Sequence, residues 1–124
     1  MGAAAEFSRY IDAYRRRADA REAERLARIQ QLRGRAEFIA RELRAAYGKR
    51  VHVHLFGSLL DPDRFNSDSD IDLAVEGLSP SEYWDAWSRA EPFAGDAGLD
   101  LVRLETAAPT LREVVRLEGE ELTG

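Results

Sequence analysis

Apolar residues in the first third of the chain recur at intervals of three and four. Phe7, Ile11, Tyr14 and Ala18 form one series, and Ile29, Leu32, Ala36, Ile39, Leu43 and Ala46 form a second. Such spacing places each series on one side of an α-helix. No proline interrupts the stretch, and good helix formers fill most other positions. The pattern predicts a helix from about Glu6 to Tyr47, stopped by Gly48. Between the two series, Arg15 to Arg25 is almost wholly charged or alanine. Unbroken, the helix would reach about 60 Å at 1.5 Å per residue, further than the remaining chain would be wide once folded. The second series is therefore expected to pack on the rest of the domain, and the Phe7–Tyr14 patch to meet another chain. Residues 1–48 read as a helical arm and residues 49–124 as the unit it precedes.

After Gly48 the period shortens to two. Val51-His52-Val53-His54-Leu55-Phe56 predicts a strand with the valines and Leu55 on one face and both histidines on the other. Asp70-Ile71-Asp72-Leu73 alternates in the same way, and Leu99 to Leu104 is a third short apolar run. Ser79-Pro80-Ser81-Glu82 opens a helix through Tyr83, Trp84 and Trp87, whose rings are expected to cover the sheet. Pro109-Thr110 begins a last helix with Leu111, Val114, Val115 and Leu117 on its apolar side. Strands and helices mixed in this way define an α/β (α+β) domain behind a long N-terminal helix.

Composition narrows the function. The chain has 124 residues and no cysteine, enough for one modest core and no disulfide. Residues 1–50 carry 13 Lys/Arg against 7 Asp/Glu, net +6, while residues 51–124 carry 5 against 16, net −11. A body so acidic is a poor general nucleic-acid binder, because phosphates need positive neutralisation. Arg15-Arg16-Arg17 reads as a solvated helix face offset by Asp12, Asp19 and Glu22, or as a pairing surface for an acidic partner. No apolar run approaches membrane-spanning length and the start lacks the order of a secretory signal, so the cytoplasm is expected. His52 and His54 form an H-x-H pair without an evident third metal ligand.

The chemistry concentrates in Phe56–Val75, reading FGSLLDPDRFNSDSDIDLAV. On a strand, Asp70 and Asp72 point one way and Ile71, Leu73 and Val75 the other. Carboxylates held side by side repel each other, and a cation relieves that repulsion. A D-x-D alone, short and common as it is, reads more readily as an acidic loop running into a half-buried strand. The Gly57-Ser58 pair ahead of it adds a close-approach glycine, a hydroxyl and an amide where the chain leaves the first strand.

This segment resembles the Gly-Ser…D-x-D signature of the DNA polymerase β-like nucleotidyltransferase superfamily. LFGS, SDIDLAVEGL and LDLVRLE are similar to the minimal nucleotidyltransferases (MNT proteins), many of which are antitoxins paired with HEPN-domain toxins; the resemblance runs from about Val51 to Leu122. It implies a small mixed palm sheet flanked by helices and a third carboxylate on a neighbouring strand, for which Asp100 is the candidate. It further implies that Asp70, Asp72 and Asp100 hold two Mg²⁺ ions, while Gly57 and Ser58 bind the phosphates of ATP. The implied reaction transfers AMP to a tyrosine hydroxyl on a HEPN-type toxin. Alternatives are an antitoxin that neutralises its partner by binding alone, and a small-molecule nucleotidyltransferase. No direct nucleic-acid or membrane contact is expected, and the N-terminal helix is the expected route to an oligomer or hetero-oligomer.

Overall fold

The computed structural model describes residues 2–123, so the outermost residues of the two expected segments, Met1 and Gly124, lie outside the described residues. One helix, α1 (Ala3–Tyr47), runs 45 residues without a break. It ends at Gly48, whose φ of 93° suits only glycine and whose N–H donates to the Arg44 carbonyl. β1 (His52–Phe56), β2 (Ile71–Glu76), α2 (Pro80–Ala94), β3 (Leu99–Arg103), α3 (Pro109–Glu118) and the two-residue β4 (Glu120–Glu121) follow. The strands form one mixed sheet in the order β3-β2-β1-β4. β1 is antiparallel to β2 and β4, and β2 and β3 are parallel, with α2 supplying the crossover that a parallel pair requires.

Alternation sorts the strands as their sequences require. Val53, Leu55, Leu73, Val75 and Leu101 face a core completed by Ile29, Leu32, Ala36, Ile39 and Leu43 of α1. α2 adds Ala86, Ala90 and Ala94, a small-residue row at four-residue spacing that lets it lie close beside α1. Ala46 departs from the expected series: it sits at the margin of the stripe in the last turn and stays exposed, while Tyr47 packs instead. The opposite face of the sheet carries a smaller cluster of Phe56, Ala74 and Val115. Among the α3 residues expected to be apolar contacts, Val115 is buried, but Val114 and Leu117 are exposed because the short helix reaches the sheet along one narrow line.

The direction of α1 matters most for function. Near its C-terminus Tyr47 donates to Asp85 in α2. Further back, Arg35 donates to the Ala94 carbonyl and to Asp96 at 2.8 Å, and Arg28 reaches Asp96 at 2.9 Å. These guanidiniums, Arg35 first, hold the Asp96 carboxyl down at about 2. Arg25 donates to the Pro62 carbonyl. Pro62 and Asp96 both lie at the end of the sheet where β1 finishes and β2 and β3 begin. Everything before Arg25 therefore projects past that end, about 33 Å of helix from Arg25 back to Ala3. At about 100° per residue, Phe7, Ile11, Tyr14 and Ala18 fall on the same arc as Ile29, Leu32, Ala36 and Leu43. The core-facing stripe thus continues into solvent, where Phe7 and Tyr14 are 66% and 53% exposed.

Because Ile39 is fully buried in the main core, Ile39→Ala should cost about 2–5 kcal/mol of unfolding free energy. Urea denaturation followed by circular dichroism checks this; a change below about 0.5 kcal/mol would contradict the packing described.

Candidate active site

Burial of one sheet face fixes what the other face presents. Asp72, between buried Ile71 and Leu73, must point away from the core, and Asp100 does the same between Leu99 and Leu101. The register sets these acids beside each other: Asp72 pairs with Asp100 across the parallel β2–β3 ladder, and with Phe56 across β1–β2. The residue after Phe56 is Gly57, at φ 80°, where a β-carbon would overlap the Asp72 Oδ2 atom. Glycine there permits both the turn and the approach of the carboxylate. Ser58 follows in the short 3-10 turn Gly57–Leu60, which is tied by the Asp61 N–H to Ser58 carbonyl bond of 3.2 Å.

Asp70 stands just before β2. Its Oδ1 lies against Gly98, where a side chain would collide with it, and the Ile71 N–H donates to the Gly98 carbonyl at 2.9 Å. Nothing local in the sequence marks Gly98, since the closeness arises only when β2 and β3 pair. The connector from Leu59 to Ser69 is anchored by Leu59 and Phe65 in the core. Two side-chain-capped turns stiffen it: the Asp63 N–H donates to Asp61 Oδ1 at 3.2 Å and the Asp68 N–H to Asn66 Oδ1 at 2.8 Å.

Electrostatics follow from this crowding. Burial, and then the charges of Asp100 and Asp70, push the Asp72 carboxyl up to about 6, while Arg64 pulls the other way. Among the described residues none of the three aspartates is in an ion pair. The donor set fits a hard divalent cation: oxygen ligands only, like-charged, with one carboxylate already burdened by its neighbours. The three are neighbours without forming a closed ligand set. Asp70 leans on Gly98 and Asp72 on Gly57, and among the described residues no group of three His, Cys, Asp or Glu stands at metal-holding geometry. The H-x-H pair divides: His52 Nδ1 meets Glu121 Oε1 at 2.6 Å, while His54 lines a cavity of about 550 Å³ with Glu76, Arg112 and Arg116. That cavity lies on the same sheet face as Asp72, further along β2.

Tyr83 and Trp87 cover the core as expected, but Trp84 does not; it is 67% exposed beside the outer strand β3. Its place in the first turns of α2 aims it past the sheet edge instead of over it. No helix among the described residues is long and apolar enough to cross a membrane.

A mixed sheet with a Gly-Ser turn beside paired aspartates is the arrangement of a nucleotidyltransferase palm. Comparison with solved structures agrees. The chain is similar to a candidate minimal nucleotidyltransferase, with TM-score 0.57 and 29% identity over 74% of this chain and 93% of that one. It is similar to a toxin–antitoxin structure with AMP-PNP, with TM-score 0.56 and 28% identity over 71% and 73% of the two chains. A third structure is the tri-AMPylated HEPN toxin of Shewanella oneidensis in complex with its MNT antitoxin, with TM-score 0.51 and 28% identity over 72% and 70%. No protein-family model matches the sequence, and no curated protein matches it. The resemblance read from the residues holds in three dimensions: the chain carries the minimal nucleotidyltransferase fold of MNT antitoxins.

The raised Asp72 carboxyl gives a pH signature. A carboxyl near 6 in the folded state and near 4 when unfolded costs stability above pH 6, a cost relieved as pH falls towards 4. In EDTA at pH 7.5, Asp72→Asn should stabilise the protein by about 1 kcal/mol, discounted for the group's partial exposure, and the gain should fall to about a third of that at pH 4.5. Added Mg²⁺ should raise the melting temperature of the parent more than that of the variant. Thermal melts at the two pH values, with and without Mg²⁺, test both expectations.

Proposed function

We propose that this protein is a nucleotidyltransferase antitoxin that transfers AMP from ATP to a tyrosine hydroxyl of a HEPN-type toxin. The observation that carries the reading is the row across three strands: the Gly57-Ser58 turn, then Asp72, then Asp100. The structural neighbours that hold AMP-PNP or a tri-AMPylated toxin support it.

In this reading the amides of Gly57 and Ser58 and the Ser58 hydroxyl hold the outer phosphates. The tyrosine oxygen forms a bond to the α-phosphorus while the bond to the β-phosphate oxygen breaks, and pyrophosphate leaves on the opposite side. The phenolic proton passes to a carboxylate oxygen of Asp100. Two Mg²⁺ ions, when held by Asp70, Asp72 and Asp100, would offset the triphosphate charge and the charge that develops on both oxygens of the displacement. Arg64, beside Asp72, adds positive charge near the phosphates.

The domain division enters the same proposal. Residues 49–124 supply the transferase face, and residues 1–48 form the arm, whose second half also closes the core. The exposed first half is the handle for the partner, with Phe7 and Tyr14 in its contact.

Incubating the complex with ATP and Mg²⁺ should add AMP to a tyrosine of the partner, read by intact-protein and peptide mass spectrometry. Asp70→Asn with Asp72→Asn should keep the complex together and lower transfer by at least about 100-fold. Full neutralisation of the toxin by that variant would instead favour inhibition by binding. For the arm, Phe7→Glu with Tyr14→Glu should weaken partner binding by about tenfold or more, measured by titration calorimetry, without moving the melting temperature, because both residues are exposed.

A further inference from the structure

The sheet's outer strand is bordered by a groove of about 470 Å³ that wraps from the first turns of α2 around β3 to Thr106 and Ala107. Asp100 stands in its wall. Pro80, Tyr83, Trp84 and Val102 give it apolar sides, and its volume is that of a small-ligand site. The walls are stiff. A capping box starts α2, with the Glu82 N–H donating to Ser79 Oγ and the Ser79 N–H to Glu82 Oε1. Tyr83 is pinned by its hydroxyl, which donates to the Leu101 carbonyl at 2.5 Å, and its ring meets Trp84 edge-on at 5.2 Å. Trp84 keeps two-thirds of its surface exposed on this rigid mount. An uncovered indole in the same groove as a carboxylate suits a ligand with a flat apolar body and a polar tip.

Position decides which ligand. Across the sheet, the Gly57 turn lies on β1, Asp72 on β2 and Asp100 on β3, with the groove beyond β3. An in-line displacement needs the attacking oxygen and the leaving group on opposite sides of the phosphorus. Phosphates held at Gly57 put the leaving group on the β1 side, so the attacker must arrive from the β3 side.

We propose that this groove is the acceptor site and receives a tyrosine side chain of a polypeptide, its ring against Trp84 and its hydroxyl at Asp100. The proposal rests on the AMP-transfer reading above. The open, elongated groove admits the chain on either side of the tyrosine, which selects a polypeptide over a free phenol.

Two probes test it: the blocked pentapeptide acetyl-Ala-Leu-Tyr-Leu-Ala-amide, and tyramine as the free phenol. With Trp87→Phe, Trp84 is the sole tryptophan. Its fluorescence should change saturably as the pentapeptide is added. In Trp84→Ala, KM for the pentapeptide should rise about tenfold with kcat and the KM for ATP within about twofold, and Trp84→Phe should restore most of the loss. Circular dichroism should find the Trp84 variants folded, since that indole is exposed, and checks that Trp87→Phe, at a half-buried position against the core, keeps the fold. Unchanged pentapeptide KM in Trp84→Ala, with AMP transfer intact in the parent, would overturn the groove and leave the transfer reading standing. Tyramine as good an acceptor as the pentapeptide would overturn the polypeptide occupant. Saturable fluorescence change without any transfer would uphold the groove as a binding site and retire the catalytic reading. Neither change nor transfer would sink both.

Discussion

Mutual repulsion among carboxylates at one end of a small sheet is the constraint around which this molecule is arranged. Asp70, Asp72 and Asp100 would separate if left to their own charges. They stay together because the residues between them are committed to the core: Ile71 and Leu73 on β2, and Leu101 on β3, are completely or almost completely buried. Apolar burial on one face thus holds charge on the other. The penalty surfaces at Asp72, whose carboxyl is displaced towards neutrality.

Holding that arrangement requires a firm back to the sheet, and α1 provides it. Four short strands cannot bury both faces, and α3 covers the reactive face only along one line. The opposite face is closed by α1 and α2 together, fastened through the arginines that meet Asp96 and the Ala94 carbonyl. These fastenings sit at the same end of the sheet as the acids. The connector between Ser58 and Asp70 is secured there too, through Arg25 and the buried Phe65.

Local sequence disclosed much of this, for reasons that differ by element. The long helix announces itself by apolar spacing and lack of proline, and the strands by alternation, because both periods are written in contiguous residues. Gly57 and Asp72 were legible as a pair only through the resemblance, since their contact depends on β1 and β2 pairing antiparallel in one register. The nearness of Gly98 to Asp70 had no local mark at all. Trp84 was misjudged because helical periodicity assigns a face but not what lies opposite it; past the last strand there is nothing to cover. The exposed Val114 and Leu117 teach the same lesson on α3. β4, two glutamates long, has no pattern to betray it.

The β2–β3 ladder has one more implication, concerning quality control. Side chains alternate strictly along β3, so a slip of one position would drive Asp100 inward and turn Leu99 and Leu101 out to water. Such a misthreaded chain would bury an unpaired charge and forfeit two leucines of core at once. A one-position error at the outermost strand therefore misplaces the acid and weakens the fold together.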